Sequence, residues 1–139
     1  MSKHSVGMIV LAGDKVLLVK NTEKSGYAHE IYGAPAGRLE EDENEKQAAL
    51  RELKEETGLN TTEDSLEEFE NNFYVAELDR KEGKVEYSIR FFLVKQYQGE
   101  LKSSEETIPE WVPIDQLKEM TLVVNVKEAI DAAIKFLNP

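Results

Sequence analysis

At 139 residues, 40% of them hydrophobic and spread along the chain with no run near the length of a membrane span, the sequence fits one compact domain and excludes wholesale disorder and a transmembrane helix. Cysteine is absent, which excludes disulfides, thiolate metal sites and cysteine nucleophiles, and two histidines, His4 and His29, leave little for zinc. Lys plus Arg number 17 against 28 Asp plus Glu, a net charge of −11 that disfavours sequence-independent nucleic-acid binding and anionic membranes.

Met1 to His4 run straight into an apolar segment that breaks at Gly13-Asp14, with no small-residue cleavage pattern, so no secretory signal is expected and the cytoplasm is the expected compartment. Ser5 to Leu11 and Val16 to Lys20 are short β-type runs around Ala12-Gly13-Asp14-Lys15, which predicts a hairpin. Asn21 to Gly33 is polar and irregular, and Pro35-Ala36-Gly37 marks a rigid loop. Asn44 with Gln47 forms a capping-box pair, a run of helix formers continues to Thr57, and Gly58 supplies the stop. Phe69 to Leu78 and Val85 to Gln96 read as a strand pair joined by the charged turn Asp79 to Lys84. Gly99 to Thr107 is an acidic loop, Glu110 to Pro113 a short strand, and Asp115 the cap of a brief helix through Met120. From Asn125 to Leu137, Ala129, Ile130, Ala133, Ile134 and Leu137 recur at helical spacing and predict an amphipathic closing helix. With no repeat or linker, residues 1–139 read as one domain, an α/β sandwich around a mixed β-sheet.

The helix from Asn44 carries the chemistry. With Glu52 at zero, steps of about 100° put Glu55 near −60° and Glu56 near +40°, so the three share a face with Glu45 and Ala48 beside them. Ala49, Leu50, Leu53 and Thr57 form the neighbouring stripe that buries the helix. Stacked like charges cost about 0.2–0.5 kcal/mol per pair in an isolated helix, a penalty that a cation reverses. Oxygen ligands without thiolates favour Mg²⁺ or Mn²⁺, which would also let an acidic chain bind a polyanion. Such a site suits phosphoryl chemistry, in which metal neutralises phosphate and activates water while a carboxylate accepts its proton. Arg51 lies one turn before Glu55 and can hold it. The ordinary reading of a charge-rich helix is a solvated face with incidental ion pairs; the wider spacing argues otherwise.

From Gly37 to Leu59 the chain reads GRLEEDENEKQAALRELKEETGL, placing Gly37, Glu43, Arg51, Glu52, Leu53, Glu55, Glu56, Gly58 and Leu59 at every specified position of the Nudix box. The protein resembles Nudix hydrolases of the MutT-like kind, and the hairpin, Pro-x-Gly loop, long strands and acidic loop before Trp111 extend the likeness more weakly along the chain. The resemblance implies an α/β/α sandwich with a loop-helix-loop catalytic motif. It implies Mg²⁺ or Mn²⁺ held by Glu52, Glu55, Glu56 and the backbone carbonyl of Gly37, with Glu43 and Arg51 bracing loop and helix. A further glutamate from the loop before the last strand, matched by Glu105 or Glu106, would ligate metal or act as base, and Glu52 is the other candidate base. The reaction implied is hydrolysis of a nucleoside diphosphate linked to another moiety, by water attack at phosphorus. The implied partner is a small-molecule nucleotide, with no membrane and with a homodimer among the expected states.

Substrate signals conflict. Tyr27, Tyr32, Phe73, Tyr74 and Trp111 are candidates to stack on a base, although an aromatic beside a strand is more often core. Asn125 is a candidate base reader, as in mutator-type members, or simply a helix cap, the reading favoured here. His29 and Arg38 are candidates for phosphate contact. Pro35-Ala36-Gly37 resembles ADP-ribose pyrophosphatases; a dNTP- or NTP-type pyrophosphohydrolase is nevertheless the favoured reading, with ADP-ribose, a nucleotide sugar and a dinucleoside polyphosphate as the alternatives. The isomerase class that shares this fold uses a cysteine, absent here. The alternative to an enzyme is a non-catalytic nucleotide-binding sensor, against which stands the complete set of box carboxylates.

Overall fold

The computed structural model describes residues 3–22, 24 and 31–139. In chain order the strands are β1 (Lys3–Ile9), β2 (Leu11–Ala12), β3 (Lys15–Asn21), β4 (Ile31–Gly33) and β5 (Ala36–Arg38). Helix α1 (Glu45–Thr57) follows, then β6 (Leu66–Glu67), β7 (Phe73–Arg80), β8 (Gly83–Val94), β9 (Thr107–Pro113) and helix α2 (Val126–Leu137). Short 3-10 helices occupy Glu63–Ser65 and Ile114–Glu119. No helix of the described residues is long and apolar enough to cross a membrane.

Two sheets result. In the first, β1 runs parallel to β8, from Lys3 opposite Tyr87 to Ile9 opposite Leu93, and antiparallel to β5, with Val6 opposite Gly37. β6 and β7 both pair antiparallel with β8, so the sheet is mixed. In the second, β3 is flanked by β2, β4 and β9, all antiparallel.

The expected hairpin of Ser5 to Leu11 with Val16 to Lys20 survives only at its base, where Leu11 and Ala12 face Val16 and Lys15. Val6, Met8, Ile9, Val10, Val16, Leu17 and Leu18 are all fully buried. A strand with both faces covered needs neighbours at both edges and layers above and below. Each run therefore becomes the centre of its own sheet. Pro35-Ala36-Gly37, expected as loop throughout, turns at Pro35 and then forms β5 against β1. The strand expected from Phe69 begins instead at Phe73, after a turn in which Asn71 has a left-handed φ of 65°.

Alternation along the strands separates two cores. Val6 and Met8 of β1, Val10 just after it, and Phe92 and Val94 of β8 pack against Ala48, Ala49 and Leu53 of α1. Tyr87, Ile89, Phe91 and Leu93 point the other way, to Ala129, Ile130 and Ala133 of α2. A helix on each side of the strands is the layering expected from the sequence.

Helix α1 begins as predicted. Asn44 Oδ1 accepts from the Gln47 backbone N–H at 2.8 Å and Gln47 Oε1 accepts from the Asn44 N–H at 2.9 Å. Gly58 ends the helix at φ 86°, donating its N–H to the Lys54 carbonyl. Helix α2 starts differently: Asn125 sits at φ 73°, its side chain makes no capping bond, and its Oδ1 is buried with no partner among the described residues. The reading of Asn125 as a side-chain cap is therefore corrected. The Asn125 backbone is left-handed, a conformation that asparagine tolerates better than most residues.

Candidate active site

Strand β5 carries Gly37 beneath α1. A Cβ on residue 37 would overlap the Glu52 carboxyl, so only glycine lets this carboxylate lie against the backbone. Arg51, mostly buried, ties the acidic face together. Its Nε and Nη2 donate to Glu43 at 2.6 and 2.9 Å, and its Nη1 donates to Glu52 at 2.6 Å and to Glu55 at 3.2 Å. Nη2 also reaches the Arg38 carbonyl at 3.0 Å. The sequence predicted the Glu55 contact by spacing; the Glu52 contact joins neighbours on the same helix, and the Glu43 contact requires the preceding loop to fold back over the helix.

These contacts set the electrostatics. The Arg51 hydrogen bond, helped by the Glu40 backbone N–H, lowers Glu43 to a pKa of about 2. Burial raises Glu52, against the opposing pull of Arg51. Burial pushes Glu56 well above the usual carboxylate range, although the Ala36 N–H donates to its Oε1 at 2.7 Å, and the nearby charges of Glu52 and Glu106 add to the rise. Buried anions facing one another without a cation are costly.

The acidic loop supplies one more carboxylate. Thr22 donates its N–H to the Glu106 carbonyl at 2.9 Å and its Oγ1 to the Glu105 carbonyl at 2.7 Å. Thr107 Oγ1 donates to the Glu56 carbonyl at 3.0 Å. Held at both ends, the loop turns Glu106 into the same cleft as Glu52 and Glu56. Glu105 points out, with its side chain 81% exposed and 3.6 Å from Lys24. Glu45, expected beside the acidic face, is drawn off by His4 Nε2 at 2.7 Å and by Arg90 Nε at 3.1 Å.

The cleft encloses about 310 Å³. Gly37, Glu52, Glu56 and Glu106 form one end, with Arg38 beside them. Its wall is apolar, made by Ile89 and Phe91 of β8, Ala34 after β4, and Val123 and Val126 at the start of α2. Of the aromatic candidates, Tyr32, Phe73, Tyr74 and Trp111 are not among the lining residues. Phe73 packs under the Arg90 guanidinium at 4.9 Å, Tyr74 meets Phe91 edge-on at 5.9 Å and Trp111 lies beside Tyr97 at 5.8 Å. Tyr27 and His29 lie outside the described residues. The sequence reading missed Asn21, Arg80, Glu82, Tyr87 and Phe91, all of which line the cleft. Period-two alternation along the two long strands was the signal available for Arg80, Tyr87 and Phe91.

The donor set fits a hard divalent cation. It consists of carboxylates and a glycine carbonyl with no thiolate, and the two buried carboxylates have their anionic forms disfavoured by burial. Among the described residues, no group of three His, Asp or Glu side chains is drawn together into a ready-made cage. Arg51 and the Ala36 amide instead occupy oxygens of Glu52, Glu55 and Glu56.

A mixed sheet between two helices with a glycine strand under an acidic helix defines a fold shared with a known class. The structure of the MutT protein from Methanosarcina mazei Go1 superposes with a TM-score of 0.80 at 20% identity, over 99% of this chain and 96% of that one. The NUDIX domain family model matches residues 1–133, and the chain belongs to that family as a Nudix hydrolase. The chain is 26% identical over 110 residues to the 8-oxo-dGTP diphosphatase of Buchnera aphidicola, covering 79% of this chain and 76% of that protein. It is 30% identical over 118 residues to the oxidized purine nucleoside triphosphate hydrolase of Danio rerio, covering 84% and 69%.

Proposed function

We propose that the chain, acting as one domain in the cytoplasm, hydrolyses a phosphoric anhydride bond of a nucleoside triphosphate, releasing a nucleoside monophosphate and pyrophosphate. The observation that carries this reading is the meeting of Gly37, Glu52, Glu56 and Glu106 at one end of an apolar-walled cleft. The activities for which the relatives from Buchnera aphidicola and Danio rerio are named, both on oxidised purine nucleotides, support a triphosphate over ADP-ribose. Mg²⁺ or Mn²⁺ would be held by Glu52, Glu55, Glu56 and the Gly37 carbonyl, with Glu106 as a further ligand or base. A divalent cation bound there supplies charge neutralisation on the phosphates and a lowered pKa for water. Arg51 holds Glu52 and Glu55 in place, and Glu43 fixes Arg51. Glu106 would accept the proton of the attacking water. Its carboxylate carries no hydrogen bond among the described residues, whereas Glu52 is tied to Arg51. The apolar wall would hold the nucleobase and shield it from water.

The test is Mg²⁺- and Mn²⁺-dependent hydrolysis of dNTPs including oxidised forms, ADP-ribose, nucleotide sugars and dinucleoside polyphosphates, with products resolved by chromatography. Monophosphate plus pyrophosphate is the expected result. Two monophosphates would mean a diphosphate-bridged substrate instead. Nucleotide binding without metal-dependent turnover would replace the enzyme with a sensor module.

A further inference from the structure

We infer that the tip of the β7–β8 hairpin reads the base of the nucleotide, with Arg80 and Glu82 selecting a 6-oxo-2-amino purine, a guanine-type ring. This rests on the nucleotide-hydrolase reading above and adds the residues that choose the base.

Strand parity puts Arg80 on the cleft side. Tyr74 and Ala76 of β7 pack into the α2 layer, and Arg80 follows them at even spacing on the same face. Arg80 and Glu82 line the same cleft as Glu52 and Glu56. They reach it because β8 is long: its ladder with β1 starts at Lys3 opposite Tyr87 among the described residues, so the hairpin runs on past it. Register places Gly83 six residues beyond Ile89, which pairs with Ser5, itself opposite Arg38. At about 3.3 Å per residue, the tip lies well away from the acidic end. Val85, Tyr87 and Ile89 line the stretch between them, an apolar surface suited to a flat ring.

The tip itself carries opposite charges. Arg80 can only donate hydrogen bonds, and ionised Glu82 can only accept them. A carboxylate on the same hairpin tip disfavours phosphate at this end, whereas Arg38 stands beside Gly37 at the other. A 6-oxo-2-amino purine presents an acceptor, O6, next to two donors, N1–H and the 2-amino group. O6 complements Arg80, and the donors complement Glu82. Arginine on guanine acceptors is a common specific pairing. Adenine reverses the edge, setting an amino donor toward the guanidinium and the N1 lone pair toward the carboxylate. A guanine oxidised at C8 keeps the favourable edge.

The experiment measures kcat/KM with Mg²⁺ for dGTP, dITP and dATP, using the wild-type chain and the Glu82→Gln and Arg80→Ala variants. The wild type should prefer dGTP, and each variant should lower the dGTP-to-dATP ratio about tenfold or more, chiefly through KM, since a site built for hydrogen bonds rejects an edge that lacks them. Loss of the 2-amino group in dITP should reproduce most of the Glu82→Gln effect in the wild type. An unchanged ratio in both variants, or equal losses on both bases, overturns the inference while leaving the hydrolase reading intact. No turnover of any nucleotide by the wild type would instead overturn the hydrolase reading. GMP and AMP binding by calorimetry then decides the base preference separately: a GMP preference lost in Glu82→Gln supports it, and equal binding of both overturns it.

Discussion

At the scale of single residues, Glu52 lies at the intersection of every constraint in the cleft. It touches Gly37 through a space no side chain can share, pairs with Arg51 at 2.6 Å and is largely shielded from solvent. Glu52→Gln keeps the shape and removes the charge, so kcat should fall on the order of 10²–10³-fold. The metal-free melting temperature should hold or rise, because a charge that burial disfavours has been removed; a variant retaining full rate would exclude Glu52 from the site. The pH dependence follows from opposite shifts. Glu43, lowered from 4.5 to about 2, contributes stability that is present above 4.5 and lost as pH falls through about 2. Glu52 and Glu56 are raised, so their contribution is present in acid and lost as pH rises from 4.5 through their folded values. Metal-free protein should therefore melt at lower temperature as pH climbs toward neutrality, and Glu56→Gln should flatten that decline in calorimetric scans across the same range.

At the scale of elements, α1 shows how far local chemistry reaches. Both capping-box bonds and the left-handed Gly58 lie where the residue types put them. Asn44→Ala should cost about 1 kcal/mol in urea unfolding. Gly58→Ala should cost more than that, because its φ is 86° and the new Cβ would sit 2.7 Å from the Glu100 carbonyl oxygen. If Gly58→Ala proves the milder of the two, the close approach at the helix end is not maintained in solution. Strands were less legible than helices. Ser5 to Leu11 and Val16 to Lys20 have a turn composition between them, yet they separate after two residue pairs because each finds better partners far along the chain. Hairpin signals are local, whereas the parallel pairing of β1 with β8 joins residues more than eighty positions apart.

At the scale of the whole molecule, the acidic end of the cleft is a place where three segments are forced together against their own charge. The β5 strand, the acidic face of α1 and the loop before β9 meet there, in a chain of net charge −11. Mg²⁺ should raise the melting temperature at neutral pH, in proportion to its binding, and should raise it less near pH 5, where protons compete for the raised carboxylates. An equal increment at both pH values would place the metal away from Glu52 and Glu56.

The sequence alone determined α1 with both its ends, the shared face of Glu52, Glu55 and Glu56, and the family, since all of these depend on residues within a few turns of one another. The tertiary structure turned Glu106 rather than Glu105 into the cleft, moved Glu45 out of the acidic face to His4 and Arg90, removed the side-chain cap from Asn125 and brought Arg80 and Glu82 into the lining of the cleft. Those outcomes depend on which distant segments pack together. Spacing fixes the direction of a side chain only relative to its own element, and a binding cleft is made where elements from different parts of the chain meet.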